Sequence, residues 1–176
     1  DPATALRLRL LDGHRAAVAD LDAQDKDAAK ALKDLAGSAG STLRELCGIA
    51  ERIEAELLVE VGDPRRFTGE GGFARFNGTA PLPASSAEGA GEPVRHRLNR
   101  GGNRRVNACL HRMAVTQLRC DPRARKIYDD ARRRGHTKKE AMRILKRHLS
   151  DVVYRRMMSD LKTREPVLDD GVRRIA

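Results

Sequence analysis

A mainly α-helical protein is predicted by three features of the sequence. Apolar residues recur at heptad spacing through the first 36 residues. Two Thr-x-x-Glu capping boxes precede later apolar runs, and no segment carries a strong strand pattern. The expected architecture is a long coiled-coil-like N-terminal helix followed by a compact helical domain with a helix–hairpin–helix-like turn. Residues 1–40 form the first segment, 41–164 the domain and 165–176 a tail.

The first helix is read from Pro2 to Ala36. Leu11, Val18, Leu21, Ala28, Leu32 and Leu35 follow one another at steps of seven, three, seven, four and three. His14 and Asp25 fill the remaining seam positions and weaken the stripe. A dimerising coiled coil, an antiparallel hairpin and a single amphipathic helix lying on the domain all fit this pattern. Gly37-Ser38-Ala39-Gly40 ends the helix. Thr42 with Glu45 predicts a new helix from about Leu43, interrupted by Cys47-Gly48-Ile49-Ala50. A second run from Glu51 to Val61 turns Ile53, Leu57 and Leu58 inward, Gly62 caps it, and Asp63-Pro64 turns the chain. Phe67, Phe73 and Phe76, all the phenylalanines present, read as a small aromatic core.

Residues Gly78 to Pro93 hold three of the seven prolines and read as an exposed loop. A helix follows with Val106, Leu110, Met113, Ala114, Gln117 and Leu118 at helical spacing, broken by Asp121-Pro122. A short helix is expected around Lys126 to Arg134, ending at Gly135. Thr137 with Glu140 then caps a long helix carrying Ala141, Leu145, Leu149, Val152 and Val153 on one face. From Glu165 onward a frayed tail is expected.

Composition narrows the function. The 176 residues include 35 Lys and Arg against 25 Asp and Glu, a net charge of +10. Residues 1–60 carry 8 basic and 12 acidic side chains, so the positive excess lies in the remainder and points to a polyanionic partner, nucleic acid first. Aromatics are 3% with no Trp, which argues against modules that bind single strands by stacking bases. Three cysteines without a CxxC pair suit neither a disulfide framework nor a zinc site, and imply a reducing, intracellular compartment. No apolar run approaches the ~20 residues a spanning helix needs. The chain starts at Asp1 and reads as a fragment or a processed product.

Two basic clusters are candidate phosphate contacts. Arg95, Arg97, Arg100, Arg104 and Arg105 surround Gly101-Gly102-Asn103 just before a helix, where backbone amides and the helix dipole favour an anion. Lys138 and Lys139 stand in a second cluster, Arg132 to Lys139, within a helix–turn–helix-like link. Gly48 in the hairpin turn reads equally as a phosphate contact or as a structural turn. Ser85 and Ser86 lie on a proline-framed loop. Turn chemistry explains them by itself, whereas a nucleophilic serine needs activation and a positioned electrophile. No metal-ligand cluster is visible.

The order of these motifs carries a resemblance. Gly62-Asp63, Arg66-Phe67, Phe76-Asn77-Gly78-Thr79-Ala80-Pro81, Ser85-Ser86, Arg95-His96-Arg97-Leu98 and Arg100-Gly101-Gly102-Asn103-Arg104 form a series, continued by Ala114-Val115-Thr116-Gln117 and Ser150-Asp151-Val152-Val153-Tyr154. Over roughly Thr42 to Asp160 it resembles the C-terminal, serine-bearing domain of bacterial insertion-sequence transposases related to the pilin-gene invertases. Some of these are guided by a bridge RNA.

The resemblance implies a bacterial, cytoplasmic DNA recombinase with Ser86 as nucleophile and Ser85 as second choice. It also implies a guide RNA in some members, and a separate RuvC-like domain whose four carboxylates hold divalent metal, Mg2+. No acidic cluster here replaces that domain, so the chain reads as the C-terminal part of a transposase, inactive alone, with homo-oligomers formed through the first helix. Two positions depart from the family pattern. Ala87 stands where it has Gly, and Cys47-Gly48-Ile49-Ala50 stands where it has Pro-Gly-Ile-Gly. The alternatives are a non-catalytic basic helical nucleic-acid-binding module and a coiled-coil interaction protein.

Overall fold

The computed structural model describes residues 1–83, 96–97 and 101–164. Helix α1 spans Pro2–Ser38, α2 Glu51–Val61, α3 Gly69–Phe76, α4 Arg104–Cys120, α5 Pro122–Arg133 and α6 Lys138–Arg164. The mainly helical expectation holds, with a long first helix followed by a compact helical region. Leu82–Pro83 (β1), in the stretch read as an exposed loop, pairs antiparallel with His96–Arg97 (β2) of the basic run, Leu82 opposite Arg97 and Pro83 opposite His96. The expected frayed tail lies outside the described residues.

Helix starts follow local chemistry. Asp1 caps α1 by accepting from the Ala3 amide at 3.1 Å, with Pro2 at the first helical position. The Thr137–Glu140 box forms in full: Glu140 accepts from the Thr137 amide at 2.7 Å, and Thr137 Oγ1 accepts from the Glu140 amide at 3.3 Å. The helix expected around Lys126 starts earlier. Asp121 accepts from the Arg123 amide at 2.8 Å, so Asp121-Pro122 both ends α4 and opens α5.

The Thr42–Glu45 box does not form. Leu43–Glu45 makes a single 3-10 turn without a side-chain cap. Thr42 instead gives its amide and hydroxyl to Asp160 at 2.9 and 2.5 Å, and Glu45 pairs with Arg156 at 2.6 Å. Partners on α6 thus outcompete the local box.

The core is built from Leu43, Leu57, Val61, Phe73, Val106, Leu110, Met113, Leu145 and Val153, at most 1% exposed. Each such side chain stabilises the fold by about 1.5–3 kcal/mol through burial. Helix α6 runs along α3, α4 and α5, and α2 packs on α4. Phe67, Phe73 and Phe76 do form an aromatic cluster, which Tyr154 of α6 joins at 5.6 Å from the Phe73 ring. Helix α1 reaches α2 only near its C-terminal end, where Leu32 and Ala36 turn inward. Leu11, Val18, Leu21 and Leu35 of the heptad stripe are 57–66% exposed. The single-helix reading, in which the stripe lies on the domain, therefore does not hold.

Candidate nucleic-acid interface

The site is organised by Asn77, fully buried at the end of α3. Its Oδ1 accepts from the Thr79 amide at 3.0 Å and from the Thr79 hydroxyl at 2.7 Å, while its Nδ2 donates to Ser150 of α6 at 2.8 Å. Its carbonyl accepts from Asn107 of α4 at 2.7 Å. The chain leaves this knot through Pro81, and the β1–β2 ladder closes the stem of the following segment. It returns at Gly101-Gly102. A Cβ on Gly102 would lie 2.3 Å from the Gly78 nitrogen, so only glycine lets the two backbones cross. The Asn103 amide then donates to the Phe76 carbonyl at 2.6 Å. Both ends of the segment are thus pinned at one place.

Asn103 is the N-cap of α4. Its Oδ1 takes the Arg105 and Val106 amides, each at 3.0 Å, so two of the amides read as open to an anion are already satisfied. Its Nδ2 donates to Glu60 at 2.7 Å, and Arg105 pairs with the same carboxylate at 2.9 Å. These bonds, Asn103 first and then Arg105, hold the Glu60 carboxyl below the usual glutamate range. Arg104 is exposed and has no ion-pair partner among the described residues. Lys138 and Lys139 are exposed in the first turn of α6. Arg123, Arg125 and Lys126 of α5 are also exposed.

Gly48 has a packing role. Its φ is +88°, and a Cβ there would meet the Met113 carbonyl at 3.0 Å and Thr116 at 3.3 Å. Gln117 donates to the Cys47 carbonyl at 2.8 Å and holds the turn on α4. Ser85, Ser86, Arg95 and Arg100 lie outside the described residues, as does the side chain of Arg97. Two of the thiols, Cys47 and Cys109, are held toward the protonated form. A hydrogen bond with Cys120 pushes the Cys47 thiol up to about 11, and burial pushes Cys109 up to about 12. Among the described residues no group of three or more His, Cys, Asp or Glu could hold a metal ion. None of their helices is long and apolar enough to cross a membrane.

The profile of the transposase IS116/IS110/IS902 family matches residues 40–129, which include the Asn77 knot, the serines and all of α4. The chain belongs to this transposase family. It is also 34% identical over 113 residues to the insertion element IS110 uncharacterized 43.6 kDa protein of Streptomyces coelicolor. That stretch covers 64% of this chain and 27% of the relative. Within the transposase chain, sequence reasoning passed over Glu60, Asn107 and Lys146. None belongs to a motif, and only the Asn77 motif hinted at the knot that Asn107 completes.

Proposed function

We propose that this chain is the serine-bearing, DNA-binding part of a DNA transposase that works within a longer protein. Ser86, with Ser85 as second choice, is the nucleophile. Arg95, Arg97, Arg100, Arg104 and Arg105 hold the sugar-phosphate backbone beside it, and Lys138 and Lys139 extend the contact along the duplex. Serine Oγ attacks phosphorus, the Oγ–P bond forms as a P–O bond to deoxyribose breaks, and the proton released by the serine hydroxyl passes, directly or through solvent, to the leaving sugar oxygen. Mg2+, held by carboxylates of a RuvC-like domain outside the described residues, would supply Lewis-acid charge for such a transfer. A guide RNA is a further partner, and α1 joins copies of the chain.

The observation that most supports this reading is the family match across 40–129, which spans the serines and the basic run together. The pinned stem around Asn77 supports it physically, because a nucleophile on a tethered segment loses less freedom on reaching its target. A non-catalytic nucleic-acid-binding module is the second reading, favoured by Ala87 in place of the family's glycine.

One experiment separates the two. The longer transposase carrying this chain is incubated with a suicide duplex, Mg2+ and guide RNA, and protein–DNA adducts are counted on denaturing gels. A covalent adduct is expected that disappears in Ser86→Ala while the gel shift persists. An adduct that survives in both Ser86→Ala and Ser85→Ala removes the serine mechanism, and a shift without any adduct favours the binding module.

A further inference from the structure

Most half-buried cations of this fold face a carboxylate. Arg44 pairs with Glu54, Arg112 with Glu56, Arg156 with Glu45, and Arg147 with Asp151. Lys146 on α6 does not. Its Nζ donates to Asn107 Oδ1 at 2.7 Å, a neutral acceptor, and no Asp or Glu among the described residues pairs with it. Its neighbour one turn back is Arg143, which is also without a hydrogen bond or ion pair among the described residues. Burial first, and then the Arg143 charge, lower the Lys146 pKa from its ordinary value. After the Thr137 bonds, Arg143 also helps to lower the Glu140 pKa, without pairing to that carboxyl. Half-buried Lys146, in contrast, has no carboxylate partner among the described residues, a cost in free energy that an anion would recover.

The position of this pair is specific. Asn107 is fixed because its Nδ2 donates to the Asn77 carbonyl, which leaves Oδ1 to orient the ammonium. One of the three ammonium donors is used there. The Asn77 knot is also where the serine-bearing segment leaves and returns.

We propose that Lys146 and Arg143, with Asn107 orienting the ammonium, form a phosphate seat at the foot of the serine-bearing segment, occupied by a backbone phosphate of bound DNA. The proposal rests on the DNA-binding reading above and adds two residues of α6 to it. Unlike Arg105, whose guanidinium is already engaged by Glu60, neither Lys146 nor Arg143 sits in an ion pair among the described residues that an incoming phosphate would have to break.

The test measures affinity of the full chain for a short DNA duplex against salt concentration, for wild type, Lys146→Met, Lys146→Arg and Arg143→Gln. Each lost phosphate contact lowers the slope of log K against log salt by about 0.9. Lys146→Met is expected to lose that increment and to bind several-fold more weakly, while Lys146→Arg keeps the slope. A second arm compares thermal unfolding in inorganic phosphate and in chloride at equal ionic strength. Phosphate should raise the wild-type Tm and leave that of Lys146→Met unmoved. Equal slopes for wild type and Lys146→Met overturn the seat. Should Lys146→Met not fold, an unchanged slope in Arg143→Gln overturns it. If the wild type binds no DNA, the reading above fails and the phosphate arm decides: a Lys146-dependent rise in Tm upholds an anion seat, and no rise overturns it.

Discussion

Glu60 holds two groups at once, and its charge is what lets it do so. One carboxylate oxygen accepts from the α4 cap residue Asn103 and the other from Arg105, so a single side chain at the end of α2 fixes where α4 begins. Its pKa lies below the ordinary glutamate value of 4.5. A carboxyl with a lowered folded-state pKa contributes stability above its unfolded value and loses it as pH falls through the folded one. The clamp should therefore be complete at pH 7 and weaken below about pH 4.5. Thermal unfolding of wild type and Glu60→Gln from pH 7 to pH 3 checks this. The variant should melt a few degrees lower at pH 7, with the gap closing in acid. Arg105 is 73% exposed, so water screens the pair and the effect stays modest. A gap of constant size down to pH 3 would show that the charge on Glu60 does not hold the clamp.

At the scale of elements, how legible a feature was depended on whether its cause is local. The Thr137–Glu140 box involves residues three apart, and the bounds of α2 coincide with the Glu51 to Val61 run. The Asp121 cap is just as local, yet Asp121-Pro122 reads from the sequence only as a break, with α5 expected to begin near Lys126. The Thr42–Glu45 box obeys the Thr137–Glu140 spacing yet yields to Asp160 and Arg156, more than a hundred residues away. Gly102 looked like an approach point for phosphate, but it is small because Gly78 crosses it. Sequence spacing could not reveal that crossing, nor the meeting of Asn107 with Lys146 from two different helices. Motif order singles out the serines and charge density singles out the first arginine cluster, and Ser85, Ser86, Arg95 and Arg100 lie outside the described residues. The clasp between residue 42 and α6 makes its own prediction. Asp160 is 6% exposed and takes two bonds from Thr42. Hydrogen bonds to a charged acceptor contribute about 1.5–3 kcal/mol. Asp160→Ala should cost about 2 kcal/mol in urea unfolding, and Thr42→Val, which keeps the amide donor, about half as much. Losses below about 0.5 kcal/mol in both variants would place the clasp among surface contacts of little consequence.

At the scale of the whole molecule, α1 is the element whose apolar surface the other described residues leave uncovered. Its 37 residues extend about 55 Å at 1.5 Å per residue. The domain touches it only near its last turns. Leu6, Leu8, Leu10, Leu11, Val18 and Leu21 stay at least 53% exposed. Most helical stability comes from packing an apolar face, and an exposed stripe of this kind calls for a partner surface. The stripe pairs Leu11, Val18 and Leu21 at heptad positions, which a second α1 would meet with the same positions of its own. Pairing would also place two basic domains on one DNA molecule, so that binding of the first raises the effective concentration of the second. Sedimentation of the wild-type chain should show association that grows with concentration, and Val18→Glu with Leu21→Glu should leave a monomer. Far-UV circular dichroism should show helix content falling on dilution of the wild type and already reduced in the double variant, because no other described residue buries residues 2–28. DNA affinity should fall in the double variant while the salt slope per bound domain stays the same, since the proposed phosphate contacts lie outside α1. A wild-type chain that sediments as a monomer at every concentration, with its helix content undiminished, would mean that α1 stands without a second copy.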